Sequence, residues 1–277
     1  MSDEAKTETK KLDISQIMGL INDVSKTLET ELYIPSLKKF ITVKPLNTTH
    51  TKNILKSAIE GSFASNQFTL VCYHILLDII DRAVPLSSLS TFDKAFILLQ
   101  IRAKNVSDTY EMELFNEEGK SIKHKVNLTK FIEKKKKAEY EFNSEWVESD
   151  KISVLMRFPS IQTEYEFESD LFKTKLGNVD ERNEKAMKSL FAPMFISNAC
   201  QFISAVNINE TEINMADLNI QERLAVVEKL PAIIDKVITK IDSVFGKQMI
   251  DLLTVSTKSD NVEYKGRIEI NSKFFIN

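Results

Sequence analysis

The chain has 277 residues, 43% of them hydrophobic and 28% charged, with 37 Lys and Arg against 40 Asp and Glu for a formal net charge of -3. A chain of this length and apolar content buries a core of its own and falls between one elaborate domain and two ordinary ones. The slight acidic balance removes the global electrostatic argument for nucleic acid, and 6 Gly with 6 Pro are too few for linkers, Gly-rich phosphate loops or collagen-like tracts.

Residues 1–12 mix charges of both signs without apolar periodicity and are expected as a flexible tail. From Asp13, an N-cap, the positions Ile14, Ile17, Met18, Ile21, Val24 and Leu28 follow helical spacing; the resulting amphipathic helix is expected to lay its stripe on the chain's own core. Leu32 to Leu46 reads as a small hairpin around Pro35-Ser-Leu-Lys38. Asn47 to Thr49 cap a helix stopped near Gly61-Ser62, and Phe68 to Ile80 is apolar on nearly every side, as in a helix enclosed by others. Ser90-Thr-Phe-Asp93 has capping-box spacing, with Asp in place of the usual Glu or Gln, ahead of another amphipathic helix.

At Thr109 the period changes to two, and Glu118-Gly119 provides the turn of a β-hairpin ending near Val126. Lys151 to Ser160 reads as a further strand, and Tyr165-Glu-Phe-Glu168 as an edge strand. Helical spacing returns from about Asp180, interrupted at Pro193. Asn219-Ile-Gln-Glu222 forms a capping box, Pro231 takes a natural N1 position, and the following helix is expected to end at Gly246 before a late strand, Tyr264 to Ile270. The fold class is therefore α+β, in four stretches: a tail at 1–12, a helical region with a β-hairpin at 13–106, a β-rich antiparallel region at 107–178, and a mainly helical region with a terminal strand at 179–277.

The chemistry-bearing residues are sparse. Cys72 and Cys200 are too few for a disulfide framework, no apolar run reaches the ~18 residues of a membrane span, and Met1 to Lys11 lacks the core of a signal peptide, so folding in a reducing cytoplasm is expected. Of His50, His74 and His124, none stands in a nucleophile motif; His74, two residues from Cys72, points to a different side of a helix and is expected as a satisfied core histidine. Glu164, Glu166 and Glu168 on an extended segment would share one solvated face, whereas glycoside hydrolysis needs two carboxyls held across a cleft. Lys134 to Lys137 reads as an exposed loop or helix end, with no interleaved aromatics to make a single-strand platform. No pattern for a cofactor or a metal is present. Most of the 17 Phe belong in a core, but the closing pair Phe274 and Phe275 are candidate interface residues, because a terminal diaromatic docks in a neighbour's groove as readily as in its own chain.

Several stretches occur in an order that resembles the T4-like bacteriophage baseplate hub family, minor hub subunits or hub-assembly factors of contractile tails. They are Leu32-Tyr-Ile-Pro-Ser-Leu-Lys-Lys-Phe-Ile-Thr-Val-Lys-Pro-Leu46 with the helix after it, Phe92 to Arg102 followed by Val106-Ser-Asp108, Lys151 to Pro159 with its aromatic-Pro ending, Val227-Glu-Lys-Leu-Pro231 with its helix, and Phe274-Phe275. The departure from that family is the lack of cysteine pairs in Glu113 to Lys120 and in Thr257 to Asn261, so no zinc-knuckle role carries over. The resemblance implies a non-enzymatic structural or assembly protein whose partners are other phage baseplate hub and tail proteins, without membrane or nucleic acid. It implies a location in the host cytoplasm during assembly and in the virion tail baseplate if the subunit is permanent, and leaves oligomerisation open. The rival reading, a tail-associated cell-wall hydrolase, requires a carboxylate or Ser/His constellation that the sequence does not display.

Overall fold

The computed structural model describes residues 13–58, 63–149, 151–176, 184–230 and 233–276. The tail expected at 1–12, the Gly61-Ser62 helix stop and the Pro231 helix start lie outside the described residues. The fold is mixed α+β, with every named strand pair antiparallel.

The N-terminal third runs α1 (Ile14–Thr27), β1 (Thr30–Ile34), β2 (Lys39–Val43), α2 (Thr48–Ser57), α3 (Ala64–Ile79) and α4 (Thr91–Asn105). The N-cap expected at Asp13 and the capping box expected at Ser90 both form, and Gln16 completes a box at Asp13 where the sequence predicts the N-cap alone. Asp93 in the second box does more than cap. Its carboxylate, fully buried, accepts from the Ser90 amide (2.8 Å) and hydroxyl (2.7 Å) and also from the Ser36 amide (3.0 Å) and hydroxyl (2.6 Å). The shorter side chain thus pins the turn of the β1–β2 hairpin onto the start of α4. Two turns on, Gln100 accepts from the Tyr33 amide (2.9 Å) and donates through Nε2 to the Tyr33 carbonyl (2.9 Å), so one amide side chain satisfies both backbone groups of an edge residue. Hairpin and helix are therefore a single unit, packed through Leu32, Ile34, Phe92, Phe96 and Leu99.

α3 is enclosed on one side only: Phe68, Cys72, Ile75, Leu76 and Ile79 are buried, while His74 and Leu77 face out. The expected core histidine is thus corrected; His74 is a surface residue standing edge-on to the Tyr165 ring at 5.2 Å.

The middle of the chain holds β3 (Thr109–Phe115), β4 (Ser121–Asn127), α5 (Leu128–Lys136), β5 (Glu145–Ser149), β6 (Ile152–Met156) and α6 (Ile161–Leu171). The hairpin β3–β4 turns at Gly119, whose φ of 78° suits glycine. The edge strand expected at 165–168 is instead part of α6, begun by the Ser160 hydroxyl accepting from the Thr163 amide (3.0 Å). Glutamates at every second position imitated a strand, but Phe167 and Leu171, four apart, share a buried helical face. Beyond it come α7 (Glu184–Ser189), α8 (Phe191–Gln201), β7 (Ile203–Ile208), β8 (Thr211–Asn214), α9 (Ile220–Lys229), α10 (Ile233–Lys240), α11 (Lys247–Leu253), β9 (Thr254–Ser259) and β10 (Val262–Arg267). The helical run breaks at Leu190, ahead of Pro193 in the first turn of α8, as the sequence predicts.

Gly246 does not end its helix. It keeps right-handed helical dihedrals (φ -63°) in a π-helical turn, Ile241–Gly246, that joins α10 to α11, and the helix ends only where β9 begins. Glycine permits a stop without requiring one, and Phe245, Leu252 and Leu253 bury enough apolar surface to carry the helix through.

The strands make three sheets: β1-β2, β4-β3-β10-β9 and β5-β6-β7-β8. β10 pairs with β3, so the central hairpin and the last hairpin of the chain share one sheet. Gly266 sits where a Cβ would come within 2.7 Å of Leu114 and 2.9 Å of the Glu113 carbonyl, and only glycine lets the two hairpins approach this closely. Phe92 centres an aromatic cluster with Tyr140, Phe142 and Phe158, and Phe158 leads on to Phe245 and Phe202. This cluster ties α4, the loop before β5 and the α10–α11 helix into one core.

Candidate interaction surfaces

The closing pair lies inside the molecule. Asn271 caps a short 3-10 turn, Ser272–Phe275, that folds back so that Phe274 is 1% and Phe275 7% exposed. Phe274 meets Tyr110 edge-on at 5.1 Å and lies beneath the Arg102 guanidinium at 5.6 Å, while Phe275 packs on Phe68 at 6.1 Å. Arg102 is itself fully buried. Its Nη1 donates to the Ser107 carbonyl (2.9 Å), Nε and Nη2 have no partner, and burial lowers its pKa from the usual range. In this arrangement the two rings fill a groove of their own chain.

Two apolar surfaces do face outward. The first is α1. Ile14 is 74% exposed and Ile17, the least exposed of its stripe, still 39%; Met18, Leu20, Ile21, Val24 and Leu28 fall between, and none of them joins the core. The expectation that this stripe covers the chain's own core is therefore overturned. The period predicted an amphipathic helix correctly, but the neighbouring hairpin already has its inner face occupied by α4.

The second is a surface recess of about 610 Å3 lined by Asn66 of α3, Glu168 and Leu171 of α6, and Phe191, Ala192, Met194, Phe195 and Asn198 of α8. Phe191 (69% exposed) and Phe195 (50%), four residues apart, form its outer rim. At its floor Glu168 accepts from Asn66 Nδ2 at 2.6 Å, and burial pushes its carboxyl above the usual range, partly offset by that hydrogen bond. An apolar rim over a carboxyl held toward neutrality suits an apolar side chain with a hydrogen-bonding group at its tip. The sequence placed Phe191 and Phe195 on a helical period but had no means to say which phenylalanines remain outside the core.

Much of the remaining chemistry is turned inward or paired. Glu164 is bound to Lys94 in a largely buried ion pair joining α4 and α6, and Glu166 accepts from Gln162 (2.8 Å). With Glu168 bound to Asn66, the three glutamates of α6 do not converge on a cleft. Burial pushes the thiols of Cys72 and Cys200 up to about 12, which keeps both protonated and inert as nucleophiles at neutral pH. His50 is buried as the reciprocal member of the capping box of α2, and its Nε2 lies 2.9 Å from Asp78. Of the four lysines, Lys135 donates to the Asp251 carbonyl, and Lys136 pairs with Glu133 (2.6 Å) and lies over the Phe40 ring at 5.3 Å. Half of the expected basic run is thus committed to its own chain. Among the described residues no group of three His, Cys, Asp or Glu could hold a metal ion, and no helix is long and apolar enough to cross a membrane.

A family model described as T4 bacteriophage base plate protein matches residues 26–276, which takes in everything described except most of α1. No curated protein and no solved structure matches the chain.

Proposed function

We propose that this chain, which belongs to the T4 bacteriophage base plate protein family, serves in the hub of a contractile-tail baseplate, as a structural or assembly component that acts by protein–protein contact and without catalysis. Membership makes it a phage baseplate component. The hub is the finer reading, supported by the ordered likeness of the segments at 32–46, 92–108, 151–159 and 227–231 to hub proteins. The contact mode rests on one observation above the others. The recess rimmed by Phe191 and Phe195 exposes two large aromatic side chains beside a partly buried carboxyl, the composition of an interface anchor and not of a reaction centre.

The partners of this reading are other hub and tail proteins, met in the host cytoplasm as the baseplate is built. Co-expression with candidate hub proteins, followed by co-purification and mass by light scattering, tests it. A defined complex that is lost in the double variant Phe191→Ser/Phe195→Ser supports contact through the recess. A chain that binds no hub or tail protein, and is absent from tails and their assembly intermediates, overturns the hub reading. Mass spectrometry of purified particles then separates a permanent subunit from a factor that leaves before the tail is finished.

A further inference from the structure

The seam on α1 carries an inference that does not depend on the hub reading. Set Ile14 at position a of a heptad, and Ile21 and Leu28 fall on a, Ile17 and Val24 on d, Met18 and Ser25 on e, and Leu20 and Thr27 on g. The outward positions b, c and f receive Ser15, Gln16, Gly19, Asp23 and Lys26. Every a and d residue is apolar, each is between 39% and 74% exposed, and the helix has a complete capping box at Asp13, so it is a finished helix with its apolar side bare.

We propose that copies of this chain assemble side by side through α1 as a short parallel helical bundle, with three chains as the number its packing favours. Charge permits a second copy, and the a and d residues of one helix fit those of its own kind. Partner choice between unlike helices is written in charges at e and g, and here those positions carry Met18, Ser25, Leu20 and Thr27, none of them ionisable. The two charges within the helix, Asp23 and Lys26, lie on the outer side and pair with each other at 3.6 Å. Identical helices in register thus meet no like charge across the seam. Number follows from shape. Leu at d favours two strands, whereas β-branched residues at both a and d favour more, and this seam has Ile14 and Ile21 at a with Ile17 and Val24 at d. Met18 and Leu20 widen the apolar stripe on either side, which a bundle of three buries and a pair leaves wet. Two heptads are short, so helix stability and association are coupled and the assembly depends on concentration.

Sedimentation equilibrium on the full chain, from micromolar to several hundred micromolar, tests the inference against the double variant Ile17→Asp/Ile21→Asp. The expected result is a mass rising to three chains for the parent and remaining at one for the variant, with the thermal unfolding of the body unchanged because these side chains touch no core residue. A parent that stays monomeric at the highest concentration overturns the inference, and so does an oligomer that survives the double substitution. Because no hub protein is present in this experiment, its failure and the failure of the hub reading are separate results.

Discussion

The two ends of the described chain carry the same hydrophobic signal and meet opposite fates. At the C-terminal end Phe274 and Phe275 close over Arg102, Tyr110 and Phe68; at the N-terminal end the stripe of α1 stays in water. The difference lies in what each end finds. The terminal turn meets an open groove bordered by α3, α4 and β3, whereas α1 arrives beside a hairpin whose inner face α4 already covers. Apolar residues in a sequence therefore declare that burial is needed; only the tertiary arrangement decides whether the chain or a partner provides it.

The sharpest way to break this contrast is Phe274→Ala, expected to cost about 3–5 kcal/mol in chemical denaturation because the ring is fully buried. A loss below about 1 kcal/mol would show that the terminal turn is detachable and that the two ends are alike after all. Next in size is Arg102→Met. It removes two buried donors without partners at the expense of one hydrogen bond and the contact with Phe274, and the expected gain in unfolding free energy is about 1–3 kcal/mol. A marked loss instead would mean that the guanidinium organises the groove that receives the terminal turn.

Glu168 adds a pH dependence within the exposed recess. Burial holds its folded pKa above the ordinary glutamate value of 4.5, so the folded state holds the proton more tightly than the unfolded chain does. Its contribution is therefore fully present below the unfolded value and falls away as pH rises through the folded one. In Glu168→Gln the stability should decline less between pH 4.5 and 7 than in the parent, as denaturation midpoints across that range will show. The smallest effect belongs to Phe191→Ser/Phe195→Ser, within about 0.5 kcal/mol per site, since both rings are already in water. A larger drop would make them core residues and remove the recess from consideration as an interface.

Much of the fold was legible where local physics suffices. An N-cap at Asp13 and capping boxes at Ser90 and Asn219 marked helix starts, and the change of period at Thr109 with Gly119 in the turn marked a hairpin. What escaped is of two kinds. Short strands such as β7, β8 and β9 were lost within a stretch read as helical, although Asn209-Glu210 and Asp260-Asn261, all at positive φ, are turn pairs of the kind that joins tight hairpins. The second kind is tertiary. Nothing local says that Asp93 reaches Ser36, that the glutamates of α6 follow a helix, or that Gly246 passes within a π turn. The same gap affects the surfaces. The apolar residue types were visible in the sequence but their exposure was not: Phe274 is buried, whereas Phe191 and Ile17 are open to solvent.

The pairing of β3 with β10 also sets the order of events at the ribosome. Residues 109–115 are synthesised long before residues 262–267, yet one edge of β3 and the groove above Arg102 are completed only when the last hairpin and the terminal turn arrive. Such distant contacts make folding slow and leave apolar surface bare in the meantime. The nascent chain must therefore carry an unsealed core until residues 254–276 have been made, and a product truncated before residue 254 would be a target for chaperones and proteases instead of a shortened baseplate component.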